Sequence, residues 1–527
     1  MTSMPPQSGR FHHSLADPGD FTLSFELVPG RGGRSTLHTK ALDLAADLAT
    51  DGRICAVSIT DNAGGHATLA PEVLGQEILE MGMDVISHFS CKDKNRNMME
   101  SQLYGWDRLG LHNLLVIAGD YPQKGYCGHP KPVFDLDTVH VVELLTHLNN
   151  GETAPGLPPT SFCIGVAISP FKYSEAELLM QYYKLQRKVA AGAHYGITQL
   201  GFDARKYHEV LLYVAEHDLD LPLLANLFIP TLHVARLMHQ RAIPGCLLPD
   251  QLMAAMEREA RAADRGKKAR LERAANQLAV LQGLGYGGAH LGGPGLEMAD
   301  IDFVLSQAAA RRHHWPDLLA EFQPVTAQAF YYYQRDQKRG LNTTQKTPLA
   351  TGRRHSLLSF FSNLIHRLFF EPDGLLYHPA RACCLALDNT VLRRPLFWLE
   401  HLVKFLLFAC RNCGDCTLAE YGYRCPQSGC AKYLLNGPCG GSVDGWCEVY
   451  PGRKRCHYVL AYEHLKRLGR ADELPPRTLA PRDWSLADTS SWVNFYAGKD
   501  HSRRRCGAPI APAKAAPPPM APPPEEG

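Results

Sequence analysis

The densest chemistry in this chain lies between residues 410 and 456. Eight cysteines there follow the spacing C-x2-C-x2-C-x8-C-x4-C-x8-C-x7-C-x8-C. Cys410, Cys413, Cys416, Cys425, Cys430, Cys439, Cys447 and Cys456 are enough thiols for two four-ligand metal sites. The opening C-x2-C-x2-C suits three corners of a [4Fe–4S] cluster, with a distant fourth thiol completing the cube. Zinc favours close thiol pairs, and the x4 gap of CPQSGC at 425–430 is one that zinc tolerates. Both metals stay open on spacing alone, and His457, directly after the last cysteine, is a further candidate ligand. A second set of reactive groups is scattered: Glu26 in LSFELVPG, Thr60 in SITDNAGG, His88 in SHFSC, Asp120 in VIAGDYP and Gln199 in ITQLGFD. Each alone is an ordinary strand end or satisfied core polar group. Together they sit at corresponding ends of separate strands, which chance explains poorly.

Gathering them requires a fold that brings strand ends together. Short apolar runs occur at 21–27, 54–60, 84–90, 113–119, 162–169, 195–201, 223–229 and 286–292, and longer helix-like segments separate most of them. In SEAELLMQYYKLQRKVAAG (174–192), Leu178, Leu179, Tyr182, Leu185 and Val189 recur at helical spacing. Eight strand–helix units over 21–310 predict an α/β chain built on a (β/α)8 TIM barrel, with a doubly wound sheet as the rival. The barrel is preferred because its strands all end at one mouth, where the scattered polar residues would meet. Residues 1–20 read as a flexible leader, 121–161 as a long loop and candidate lid, and 311–355 as a linker. A smaller helical, cysteine-rich metal-binding module is expected over 356–500, with helices at 356–370, 394–409 and 459–469. The Ala/Pro-rich tail at 507–527 cannot form a core and is expected to be disordered. The most apolar stretch, LFWLEHLVKFLLFAC (396–410), carries Glu400, His401 and Lys404 and is short for a membrane span, so it reads as a buried helix.

The composition excludes several classes. A net charge of +2 leaves no electrostatic footprint for nucleic acid or an anionic membrane. The polar start MTSMPPQSGRFHHSLADPGD has no apolar core of a secretory signal, so a cytoplasmic location is expected. The sixteen cysteines are then thiols and metal ligands rather than disulfides. No phosphate-binding Walker motif is present, and GGAHLGGPG is not a dinucleotide fingerprint.

SFELVPG, SITDNAGG, HFSCKDKNRNMMESQLYGWDRLGLHNLLVIAGDYP and KLQRKVAAGAHYGITQLGFD strongly resemble the methylenetetrahydrofolate reductase family, in family order, over about 21–310. The resemblance implies a flavin-containing barrel that reduces 5,10-methylenetetrahydrofolate to 5-methyltetrahydrofolate, feeding methionine synthesis. It places the general acid on Glu26 and a cation-stabilising, flavin-tuning carboxylate on Asp120. It places folate and nicotinamide contacts on Gln199, a nicotinamide-side contact on Thr60, and flavin contacts on Ala63, His88, Gly119 and Lys188. Three positions depart from the family pattern: Asp61 stands for an aromatic flavin neighbour, Ala118 for an arginine, and Ser169 for a tyrosine. These fall on flavin contacts, so the form of the flavin is open, with FAD favoured over FMN. Chemistry asks that Glu26 be protonated near neutral pH, which requires burial or neighbours to raise its pKa.

CRNCGDC, CPQSGC and NGPCGGSVDGWCEV resemble a C-terminal zinc or iron–sulfur module of some bacterial members of that family. This implies that electrons could come from a reduced carrier as well as from NAD(P)H, and a homo-oligomer is allowed. The rival readings are a folate- or corrinoid-dependent methyl-transfer component and a zinc-ribbon interaction protein. Cys55, Cys91, Cys127, Cys163, Cys246 and Cys506 read as structural or incidental, and the pair Cys383–Cys384 has no assignment.

Overall fold

In the computed structural model, residues 9–502 are described, apart from 323, 327, 350–356, 389 and 475–477. The expected tail at 507–527, the leader's first eight residues and Cys506 lie outside the described residues. Strands and helices alternate: β1 (Thr22–Leu27), α2 (Thr36–Asp51), β2 (Ala56–Ile59), α3 (Pro71–Glu80), β3 (Asp84–Ser90), α4 (Arg96–Leu109), β4 (Asn113–Ile117), α5 (Thr138–Asn150), β5 (Cys163–Ile168), α6 (Glu175–Ala190), β6 (Tyr195–Thr198), α7 (Ala204–Glu216) and β7 (Leu223–Phe228). Three helices, α8 (Leu232–His239), α9 (Asp250–Glu259) and α10 (Lys267–Leu284), precede β8 (Gly288–Gly292), and α11 (Met298–Arg311) follows it. The eight strands are parallel and close into a barrel, with β1 paired to both β2 and β8. The strands are apolar runs buried along almost their whole length, as strands wrapped by helices must be.

The leader departs from expectation. Arg10–Ala16 is a helix, α1, whose Phe11 is fully buried against the ring of Tyr195 at 5.3 Å. The Phe11 amide donates to Asp84 at the start of β3, so α1 plugs the N-terminal mouth of the barrel. The expected loop at 121–161 is also interrupted, because α5 occupies its middle. Asp137 caps α5, and Val139, Val142, Leu145 and Leu148 bury its inner face. The expected linker carries a short helix, α12 (Trp315–Leu318), and an antiparallel hairpin of β9 (Tyr333–Arg335) and β10 (Asn342–Lys346). The hairpin is tied to the barrel by Tyr331, whose hydroxyl donates to Asp203 at 2.6 Å.

The C-terminal region is helical: α13 (Leu357–Phe369), α14 (Tyr377–Asp388), α15 (Arg393–Phe408), α16 (Pro426–Gly429), α17 (His457–Arg467) and α18 (Ser491–Tyr496). Its inner part shares the barrel's hydrophobic core through Tyr421, Leu434, Tyr458, Val459, Tyr462 and Leu465. α17 lies on α6, where the Tyr462 hydroxyl donates to Glu175 at 2.8 Å. The reading of 396–410 as a buried helix is corrected. α15 forms, but Trp398, Leu402, Phe405 and Leu406 face solvent, while Glu400 and Lys404 turn inward. Among the described residues, no helix is long and apolar enough to cross a membrane.

Candidate active site

A cavity of ≈ 320 Å³ opens at the C-terminal ends of the strands, as in barrel enzymes generally. Glu26, Thr60, Asp61, Ala63, His88, Ala118, Gly119, Asp120, Ser169, Lys188 and Gln199 all line it. The sequence-derived residues of the barrel therefore meet at one place. The fourth wall comes from the cysteine-rich module, through Lys432, Pro438, Cys439, Gly440, Gly441 and Glu448.

Glu26 is the centre of a proton network. Its carboxylate stands 4.0 Å from His290 Nε2, and its 24 % exposure is to the cavity. His290 Nδ1 lies 2.8 Å from Ser24 Oγ, and its Nε2 3.3 Å from Ser58 Oγ. Burial pushes the Glu26 pKa up, but His290 more than offsets it and the net shift is downward. The expectation of a raised Glu26 pKa is therefore corrected: the neighbour that matters is a basic one. His88 is pushed down to about 4 by burial, so its imidazole is neutral at physiological pH.

The far side of the cavity is built from α6. Lys188 Nζ donates to the Ala167 carbonyl at 2.6 Å, and burial lowers its pKa to about 7. Lys184 is likewise buried with a lowered pKa, and its Nζ donates to the Pro438 carbonyl at 3.0 Å. Among the described residues, neither ammonium forms an ion pair with a carboxylate. Among the described residues, buried polar atoms of the lining without a hydrogen-bond partner include Thr60 Oγ1, His88 Nε2, Thr138 Oγ1 and Gln181 Nε2. A cavity of this kind suits a ligand with polar ring edges and an anionic group.

Other lining residues are held in place. Asp61 accepts from Lys94 Nζ at 2.8 Å and from the Ser90 amide at 3.1 Å. Asp120 accepts from the Gly64 amide at 2.8 Å. Gly119 adopts φ +80°, and a Cβ there would fall 2.1 Å from Ser90 Oγ, so only glycine fits that turn. Its carbonyl accepts from Lys432 Nζ at 2.6 Å, and Lys432 also pairs with Glu448. A Cβ on Gly441 would overlap the Glu448 carboxylate, at 1.1 Å. Ser169 Oγ donates to the Gly440 carbonyl at 3.3 Å, and Lys172 Nζ to the Ser442 carbonyl at 2.6 Å. Asp137 accepts from the amides of Leu435 and Asn436 at 2.9 and 2.6 Å. The module is thus built into the mouth of the barrel.

The thiols sort in chain order. Burial raises the pKa values of Cys410, Cys416, Cys430, Cys439 and Cys456, and neighbouring thiols add to this within two sets. Cys410 and Cys416 each feel Cys413 and Cys425, whereas Cys430, Cys439, Cys447 and Cys456 act on one another. The first set lines a second cavity beside α15. The second set adjoins the barrel mouth, where Cys439 is a lining residue. Among the described residues, the trios of ligand atoms within 4.8 Å of one another are Glu26–His88–His290 and Asp415–Asp500–His501. No trio of the eight thiols is that close. His457 is buried in an edge-to-face contact with Tyr421, and burial lowers its pKa to about 3.

Residues not singled out from sequence are His290, Lys184, Gln181, Lys432 and Glu448. His290 has one signal, its place in the last strand within GGAHLGG; the others gain meaning only once the module is seen on the barrel.

A family model described as methylenetetrahydrofolate reductase matches residues 10–293, more than half of the chain. A second, described as methylene-tetrahydrofolate reductase C terminal, matches 391–485. A curated relative, 5,10-methylenetetrahydrofolate reductase of Salmonella typhimurium strain LT2, is 26% identical over 204 residues, covering 38% of this chain and 62% of the relative. The chain thus spans about three-fifths of that relative's length. Two solved structures are more distant. One is a Clostridium thermocellum protein described as binding two copies of 5-methyl-5,6,7,8-tetrahydrofolic acid, with 11% identity, a TM-score of 0.40, and coverage of 57% of this chain and 99% of that one. The other is 2,3-dimethylmalate lyase, with 13% identity, a TM-score of 0.32, and coverage of 59% and 88%. At those scores the likeness carries no functional argument.

Proposed function

We propose, from the premise that this chain belongs to the methylenetetrahydrofolate reductase family, that its barrel reduces 5,10-methylenetetrahydrofolate to 5-methyltetrahydrofolate. The observation that carries this reading is the convergence of Glu26, His290, Asp120 and Gln199 on one cavity. The reaction consumes two electrons and two protons. The folate's five-membered ring must open to an iminium cation before the carbon can be reduced, and protonating the departing nitrogen opens it. Glu26 and His290 together hold and deliver that proton. Asp120 places a negative charge where the cation forms, and Gln199 offers an amide to the pterin edge.

The cavity fits a flavin. Thr60 Oγ1, His88 Nε2 and Gln181 Nε2 offer unpartnered polar atoms to a ring system and its side chain, and Lys184 and Lys188 offer charge to a phosphate. A bound flavin would supply hydride chemistry there. The loop 436–441 closes over Lys184, and Ala118 and Ser169 stand where the family has larger flavin contacts. This favours the mononucleotide over the FAD first expected from the resemblance.

The module's thiols suit iron–sulfur clusters: the C-x2-C-x2-C opening offers three corners of a cubane, and Cys425 lines the same cavity as a fourth. Two such clusters would make a reduced one-electron carrier the donor in place of NAD(P)H. Glu26→Gln tests the barrel chemistry: the rate of methylenetetrahydrofolate reduction should fall at least about tenfold while flavin content is unchanged. An unaltered rate would refute the assignment.

A further inference from the structure

α15 is built inside out. Its inward face is charged: Glu400 and Lys404 are buried, pair at 2.6 Å, and bond to Ser490 and Ser491 near α18. Its outward face is apolar. Trp398, Leu399, Leu402, Phe405 and Leu406 are between 55% and 71% exposed and follow the i, i+4, i+7 spacing of one helix face. A continuous exposed stripe of large side chains on a soluble protein marks an interaction site. From 391 to 411 the exposed ionic groups are all arginines, because the sole acid, Glu400, is buried. Arg393 pairs with Asp388 at 3.3 Å, whereas Arg394 and Arg411 form no ion pair among the described residues. The helix runs directly into Cys410. Phe397, His401 and Phe408 line the cavity that also holds Cys410, Cys413, Cys416 and Cys425.

We propose that this face docks a small acidic electron-carrier protein of the iron–sulfur class. The inference rests on the reading of the chain as a reductase supplied through its thiol module. An apolar centre with a basic rim is the anatomy of a transient protein interface, and the rim selects an acidic partner. A second copy of the chain would bring the same arginines to the same face. An anionic lipid surface shares the charge preference, but the continuity of the face with the first thiol set favours a carrier. The electron balance is simple: two reduced carriers each lose one electron, two protons are taken up, and one methylenetetrahydrofolate becomes one 5-methyltetrahydrofolate.

The test uses the full chain purified anaerobically and an acidic two-cluster bacterial ferredoxin. Binding is measured by biolayer interferometry for the parent, Leu402→Ser and Arg394→Glu, with light scattering as a check on mass. The parent should bind, and more weakly as salt rises from about 0.05 to 0.5 M. Each variant should bind at least tenfold more weakly. With reduced ferredoxin as donor the variants' KM should rise by a similar factor. With reduced methyl viologen, which needs no docking, their rates should equal the parent's. Variants that bind ferredoxin as the parent does overturn the proposal. So do variants that change the chain's own oligomeric mass, or a parent that sediments with phosphatidylserine vesicles and ignores ferredoxin. If reduced methyl viologen drives no folate reduction in the parent, the reductase reading fails, and the binding data still decide the docking face.

Discussion

His290→Asn separates the two members of the proton pair. In the parent, burial raises the Glu26 pKa and His290 brings it below the ordinary value of 4.5. At neutral pH the carboxylate then has no proton of its own, and the proton must come through the imidazole. Removing His290 leaves burial as the dominant influence, so the carboxyl pKa rises. With the imidazole protonated, a charge pair 4.0 Å apart is worth about 4 kcal/mol at an effective dielectric of about 20. Exposure of the carboxylate to cavity water screens part of this. The assay is single-turnover reoxidation of the reduced protein by methylenetetrahydrofolate, followed from about pH 5 to 8. At pH 7 the variant should be at least about tenfold slower than the parent. Its rate should recover as pH falls through the raised pKa, because the acid form of Glu26 is populated only below it. A variant whose rate and pH profile overlie the parent's would refute the pairing.

Asp137 joins the cap of α5 to the module. Burial raises its pKa, but His140, Lys184 and the backbone donors outweigh this and bring it from 3.8 to about 2. The resulting stabilisation is complete above the unfolded pKa and is lost as pH falls through about 2; its size is about 2 kcal/mol. Asp137→Asn should therefore lower stability in urea at pH 7 and flatten its dependence on acid, and equal midpoints at pH 7 would contradict this. Lys432→Met removes the cation that bridges the Gly119 carbonyl and Glu448, and should weaken flavin retention through dialysis by at least about tenfold; Glu448→Gln, which leaves the lysine in place, should retain more. Cys439→Ser should lose about half of the protein-bound iron and acid-labile sulfide, because the second thiol set then lacks a corner. A preparation with zinc and no sulfide would contradict the cluster assignment. Flavin released by denaturation should run as FMN on chromatography, and recovery of FAD would show that the loop 436–441 leaves room for an adenylate.

Much of the barrel was legible because its strands are apolar runs ending in polar residues. The run at 84–90 coincides with β3, and the helix expected at 174–192 matches α6 within two residues. What escaped is chiefly what depends on distant partners. RFHHSLA has no period of its own, and only the open end of the barrel gives Phe11 a place to bury. His290 reads as a lone histidine among glycines until closure of the barrel sets it beside Ser24, 266 residues away. Lys432 is 313 residues from the carbonyl it serves. The apolar content of α15 was plain, but its direction was not. Ser490 and Ser491 supply the hydrogen bonds that let Glu400 and Lys404 turn inward, and the apolar face is left outside. The stretch 121–161 reads as loop because prolines and glycines fill both its ends, whereas the apolar period of α5 is confined to its middle.

The most direct test of the account mixes anaerobically reduced full-length protein with one equivalent of 5,10-methylenetetrahydrofolate and follows flavin absorbance together with folate products. The flavin should reoxidise, and 5-methyltetrahydrofolate should form in the same amount. A colourless protein that takes up no added flavin, or a reduced flavin that stays reduced in the presence of the folate, would contradict it.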